Sequence, residues 1–169
     1  MSKIKRIVLA CEVLAVSFIV NVSVCNSVSS AAESAPPPMK RTIYMAAIEP
    51  KGTTNVSKET FPTTSLPPGE GYGLNAPDKD GNWTVETYTW SPGSMTVYQE
   101  DEITLRVIGI NGAMHQVSIE GYDLKYVVKR GEITTVSFKA DKAGIFQIIC
   151  HTHTPAMTAQ LVVLPRPRK

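Results

Sequence analysis

Past residue 32 the chain holds a single cysteine, Cys150, so no internal disulfide can staple the fold. Charge of one sign is not in excess: 17 Lys and Arg against 15 Asp and Glu leave a formal +2. That balance gives no general electrostatic case for nucleic-acid binding. Helical periodicity is missing too. No stretch after residue 40 sustains it, and 12 Pro and 11 Gly are scattered through short segments, which speaks against a helical bundle. With 43% apolar and only 19% charged residues, the chain is not disordered as a whole. Its 169 residues suffice for one domain with its own core, but not for two.

The one long apolar run stands at the start. Lys3, Lys5 and Arg6 precede it, it covers about residues 7–24, and Ser30-Ala31-Ala32 follows with small side chains. A basic start, an apolar middle and a small-x-small end are what a secretory signal peptide requires, so residues 1–32 are expected to be cleaved after Ala32. A retained membrane anchor is the alternative, although Glu12 and Asn21 interrupt the run. Cleavage removes Lys3, Lys5, Arg6 and Glu12 and leaves a formally neutral chain, exported to a periplasmic or extracellular space. Cys11 and Cys25 go with them. A lone thiol in an oxidising compartment pairs with another chain, binds a metal or does chemistry, which singles out Cys150.

Residues 33–40 include Pro36, Pro37 and Pro38 and form a tether. Residues 41–48 fit a first strand. Residues 49–82 are rich in Pro, Gly, Thr, Ser and Asn and suggest a long irregular excursion. From Trp83 onward, β-branched or aromatic runs occupy 85–90, 94–98, 103–110, 115–120, 124–129, 132–138, 145–150 and 159–164. Turn signals such as Asn111-Gly112 and Arg130-Gly131 separate them. Short strands with turns every 8–12 residues or so describe a sandwich or barrel. The expected fold class is all-β, a Greek-key β-sandwich over residues 41–164. A basic tail over 165–169 is expected to fray.

Side chains in a strand alternate faces. His115 shares parity with Val117 and Ile119, Cys150 with Phe146 and Ile148, and Met157 with Ala159, Leu161 and Val163. All three therefore point toward the core at strand ends. The loop Cys150-His151-Thr152-His153-Thr154-Pro155-Ala156-Met157 adds a second imidazole. Alone, each has an ordinary reading: a core histidine, an inert thiol, a loop residue, a methionine filling a gap. Together, two imidazoles, one thiolate and one thioether form a set that selects copper and accepts both of its oxidation states. His151, next to Cys150, turns away from that site toward the surface.

The spacing Cys150-x2-His153-x3-Met157, followed by Thr158-Ala159-Gln160-Leu161-Val162-Val163, resembles the ligand loop of the cupredoxins, the blue copper proteins. Their small members use Cys-x2-His-x2-Met or Cys-x2-His-x4-Met, so this loop is intermediate. Asn111-Gly112-Ala113-Met114-His115-Gln116-Val117 resembles the segment that presents the first histidine. Residues 128–144 resemble the strand-turn-strand before the cysteine, and are also similar to nitrosocyanin and to the cupredoxin domain of cytochrome oxidase subunit II. The likeness covers residues 83–164. The dinuclear site of oxidase subunit II needs a second cysteine where Thr154 stands. Nitrosocyanin uses a Glu where this chain has His115 and a second loop histidine where it has Met157. The resemblance thus implies a type-1 site, with His115, Cys150 and His153 as strong ligands and Met157 as a weak one. It also implies that His153 shows its ring edge at the surface, ringed by Met114, Pro155 and Ala156.

The expected function is that of an exported mononuclear copper protein, not an enzyme, carrying single electrons between a redox donor and acceptor. One ion would cycle between Cu(I) and Cu(II). No nucleic acid is expected as a partner, and a membrane only if the N-terminal segment is retained. The rivals are a nitrosocyanin-like red copper protein whose open metal position takes a small molecule, a periplasmic copper carrier, and a metal-free interaction domain working through residues 49–82.

Overall fold

Alternation of apolar and polar residues along the chain becomes alternation of burial in three dimensions. The computed structural model describes residues 36–166, so the export signal expected over 1–32 lies outside the described residues. Its strands are β1 (Lys40–Ile48), β2 (Lys51–Asn55), β3 (Tyr72–Asn75), β4 (Asn82–Thr87), β5 (Thr89–Ser91), β6 (Ser94–Tyr98), β7 (Glu102–Gly109), β8 (Met114–Ile119), β9 (Leu124–Lys129), β10 (Ile133–Lys139), β11 (Gly144–Cys150) and β12 (Thr158–Leu164). Among the described residues the only helical element is one 3-10 turn, His151–His153. No helix there is long and apolar enough to cross a membrane.

Two sheets make the sandwich, in the orders β10-β7-β1-β5 and β6-β12-β11-β8-β9. β1 runs parallel to β7 and β12 parallel to β6, and the remaining neighbours are antiparallel. Ile103, Leu105 and Val107 of β7 bury every second side chain, as do Met45 and Ala47 of β1. Val117, Ile119, Ile148, Ala159, Leu161 and Val163 meet them from the second sheet. Each of the Val, Leu, Ile and Met side chains among them contributes about 1.5–3 kcal/mol on leaving water. This core holds the strand ends that carry His115, Cys150 and Met157.

Two features differ from the sequence expectation. Residues 49–82 are not irregular throughout: β2 and β3 pair with β4 in a third sheet of order β2-β4-β3. Its short strands show no sustained apolar alternation, and Trp83 is the one buried side chain among them. Trp83 is buried, meets Phe61 edge-on at 5.6 Å and donates its Nε1–H to the Glu59 carbonyl at 3.1 Å. Second, the single strand expected over 85–90 is broken at Tyr88. Its N–H donates to the Gly71 carbonyl at 2.8 Å, and β4 and β5 on either side belong to different sheets.

The end of the sandwich where β1 begins and β12 finishes is closed by a buried carboxylate. Asp101 accepts N–H bonds from Met39 at 2.9 Å and Tyr98 at 3.0 Å. It also pairs with Arg41 and Arg166, each at 2.5 Å. Arg166 is therefore pinned, and of the tail expected to fray only residues 167–169 remain, outside the described residues.

Candidate metal centre

His115 follows the first residue of β8 and has no exposed surface. Its Nε2 lies 3.0 Å from the Asn111 carbonyl oxygen, which can only accept, so Nε2 carries the proton and Nδ1 keeps a bare lone pair. Asn111 is itself held. Its Nδ2 donates to the Glu49 carbonyl at 2.8 Å and its Oδ1 accepts the Glu49 N–H at 2.6 Å, tying the loop before β8 to the end of β1. Gly112 permits the arrangement at φ +77°: a Cβ there would stand 2.9 Å from the His115 ring and 2.9 Å from the Tyr88 ring.

Cys150 ends β11, fully buried, and is free among the described residues. Its N–H donates to the Met157 carbonyl at 3.0 Å, the Met157 N–H donates to the His153 carbonyl at 2.9 Å, and Thr154 Oγ1 donates to the Cys150 carbonyl at 2.8 Å. The loop from Cys150 to Met157 is thus closed upon itself, by its own main chain and the Thr154 hydroxyl. Burial pushes the Cys150 thiol up, while the N–H groups of Thr152 and His153 aimed at it work the other way. A bound cation would deprotonate it outright.

The decisive geometry is the triangle of donor atoms. His115 Nδ1 and His153 Nδ1 are 3.3 Å apart, and Cys150 Sγ is 3.8 Å from the first and 3.4 Å from the second. A triangle with these sides has a circumscribed radius of about 2.0 Å, close to the length of metal bonds to imidazole and thiolate. Burial, then the neighbouring His115, lowers the pKa of His153, which favours the neutral ring a metal requires. The three residues fit one ion of the soft, nitrogen- and sulfur-seeking kind, and copper answers that description. Met157 is fully buried at the end of the same loop. His151, as expected, is exposed, its Nε2 at 2.8 Å from Ser118 Oγ.

Sequence comparison identifies no relative: no protein-family model matches the chain, and no curated protein resembles it significantly. Structure comparison finds likeness of fold. A solved multicopper oxidase, mgLAC, superposes with a TM-score of 0.50 over 76% of this chain and 40% of its own, at 17% identity. The chain has the cupredoxin fold. A copper nitrite reductase from Nitrosomonas europaea gives a TM-score of 0.48 at 17% identity, over 75% of this chain and 42% of its own. Auracyanin A, a blue copper protein from Chloroflexus aurantiacus, gives 0.39 at 18% identity, over 44% and 88%. This cupredoxin-like chain therefore spans about 40% of the length of the first two.

Around that fold's centre the sequence reading missed Tyr88. Its ring lies parallel to the His153 imidazole, centroids 3.6 Å apart and planes within 4°, and meets His115 edge-on at 6.0 Å. Burial, then the nearby Glu49 carboxylate, pushes its hydroxyl up. Glu49 is itself buried and pairs with Lys51 at 3.2 Å. The strap before β3 was also unforeseen as a neighbour of the loop. Glu70 donates its N–H to the Thr154 carbonyl at 2.7 Å, and Gly71, at φ +91°, passes so close that a Cβ would lie 2.7 Å from the His153 carbonyl oxygen. His153 is accordingly half-buried, with Tyr88 and this strap beside it.

Proposed function

We propose that this chain is an exported mononuclear copper protein that carries single electrons between a redox donor and a redox acceptor. His115, Cys150 and His153 are its strong ligands, and Met157 its weak, distant one. The observation that carries the reading is the donor triangle, sized for a single ion, with His115 and Cys150 buried at strand ends and His153 half-buried on the turn that follows. Copper bound there would supply a one-electron couple. The chain's own residues do the rest. The Asn111 carbonyl fixes the His115 tautomer, the loop's main-chain bonds fix Cys150 relative to His153, and the apolar core keeps water from the thiolate. A frame that changes little when the charge changes suits electron transfer better than bond-making.

The test is the visible spectrum of the mature chain loaded with oxidised copper and then reduced. An intense thiolate-to-copper charge-transfer band that bleaches on reduction, and is absent in Cys150→Ser, is the expected result. A band that persists in Cys150→Ser overturns the ligand assignment. Met157→Leu should shift both the spectrum and the reduction potential. Should neither move, and access of small anions stay the same, Met157 is not a ligand and the open-position enzyme becomes the better reading.

A further inference from the structure

We infer that Tyr88 is the positioning residue of this centre, fixing the plane of the His153 imidazole and closing the face by which a small molecule would reach it. The inference rests on the copper reading above and adds a residue to it. Aromatic pairs usually sit with ring centroids about 4.5–7 Å apart and offset or edge-on. Tyr88 and His153 lie at 3.6 Å and 4°, so the phenol ring covers one whole face of the imidazole. The same ring meets His115 edge-on. One side chain thus touches both nitrogen ligands, and the missing Cβ of Gly112 leaves the space in which it and His115 meet.

The placement of Tyr88 is built, not incidental. It stands outside both flanking strands, at the junction of the small sheet and the sandwich, and its N–H is held by the Gly71 carbonyl. Gly71 in turn lies against the His153 main chain, where no larger residue fits without displacing the loop. Glu49, fixed by Asn111 and Lys51, stands near the phenol hydroxyl. The excursion from the sandwich, poor in core residues of its own, therefore ends by delivering one ring to the ligand loop. A ring wedged there holds a flexible ligand at one angle and keeps small anions off it, which is what a carrier needs and an open-site enzyme does not.

The test compares Tyr88→Phe and Tyr88→Leu in the full chain by two readouts. In the metal-free protein, the carbon-bound ring protons of His153 should show an upfield ring-current shift in wild type and Tyr88→Phe that collapses in Tyr88→Leu. In the copper-loaded protein, Tyr88→Leu should keep its thiolate band but lose affinity about 10–100-fold in chelator competition, and its spectrum should respond to added azide. Tyr88→Phe should behave as wild type on both counts. Wild-type His153 protons without the ring-current shift, or Tyr88→Leu matching wild type in affinity and azide response, would overturn the inference. A wild-type protein showing the shift but no copper–thiolate band would instead remove the copper reading while leaving the stack in place.

Discussion

Gly112 carries more of the centre than its lack of a side chain suggests. It combines φ +77° with a contact that leaves no room for one more carbon between the His115 and Tyr88 rings. Gly112→Ala should lose at least about 1–2 kcal/mol through the left-handed backbone alone, measured as a shift in denaturant midpoint. Because the added methyl pushes directly on the His115 ring, copper affinity should fall as well, by about 10–100-fold in chelator competition. Stability lost without any loss of affinity would mean that Tyr88, not His115, gives way. The sequence exposed three of these residues clearly. His115, Cys150 and His153 could be found because parity and loop spacing are local properties. Tyr88 could not, since its partner His153 lies far along the chain and nothing beside Tyr88 marks it as more than a strand residue.

At the scale of elements, legibility follows the same rule. β6 and β9 have the limits their alternation predicts, Ser94–Tyr98 and Leu124–Lys129, because each is a strand of a sheet with one face on the core. The small sheet β2-β4-β3 escaped because a single tryptophan packs it, leaving no repeating pattern to detect. That dependence is testable. Trp83→Ala, a change that costs about 3–5 kcal/mol in a core, should unfold the small sheet locally and not the sandwich. Hydrogen exchange should then quicken at β2, β3 and β4 while β7 and β11 stay protected. If β7 and β11 lost protection in step with β4, the small sheet would belong to the same cooperative unit. Loss of that sheet should also free Tyr88, so the Trp83→Ala protein is expected to bind copper more weakly although His115, Cys150 and His153 are unchanged.

At the scale of the molecule, the buried Asp101 joins residues from the start and the finish of the sandwich, Arg41 and Arg166. Burial opposes its ionisation, but the Arg41 guanidinium and the N–H groups of Met39 and Tyr98 hold its carboxyl below the usual carboxylate range. A pKa lowered by folding gives stability that is present above the unfolded value, about 3.9, and is lost as pH falls through the folded value. Asp101→Asn should therefore unfold at lower temperature than wild type near neutral pH, by about 3 kcal/mol of stability. The gap should shrink below about pH 4 as the wild-type carboxyl also protonates. A gap that did not change with pH would show that shape, not charge, is what Asp101 contributes.

The same clasp gives the molecule a handle. β1 runs from Asp101 toward the Asn111 loop, and β12 runs from Met157 back toward Arg166, so the described chain enters and leaves at the pole opposite the ligand loop. A lipid anchor ahead of residue 36, a tag after residue 166 or a linker on a gold electrode would each grip that pole and turn the ligand end outward. Immobilised this way from either terminus, the protein should present its donor triangle outward in one orientation, and with copper held there as proposed, voltammetry from the two attachments should report the ion at nearly the same distance.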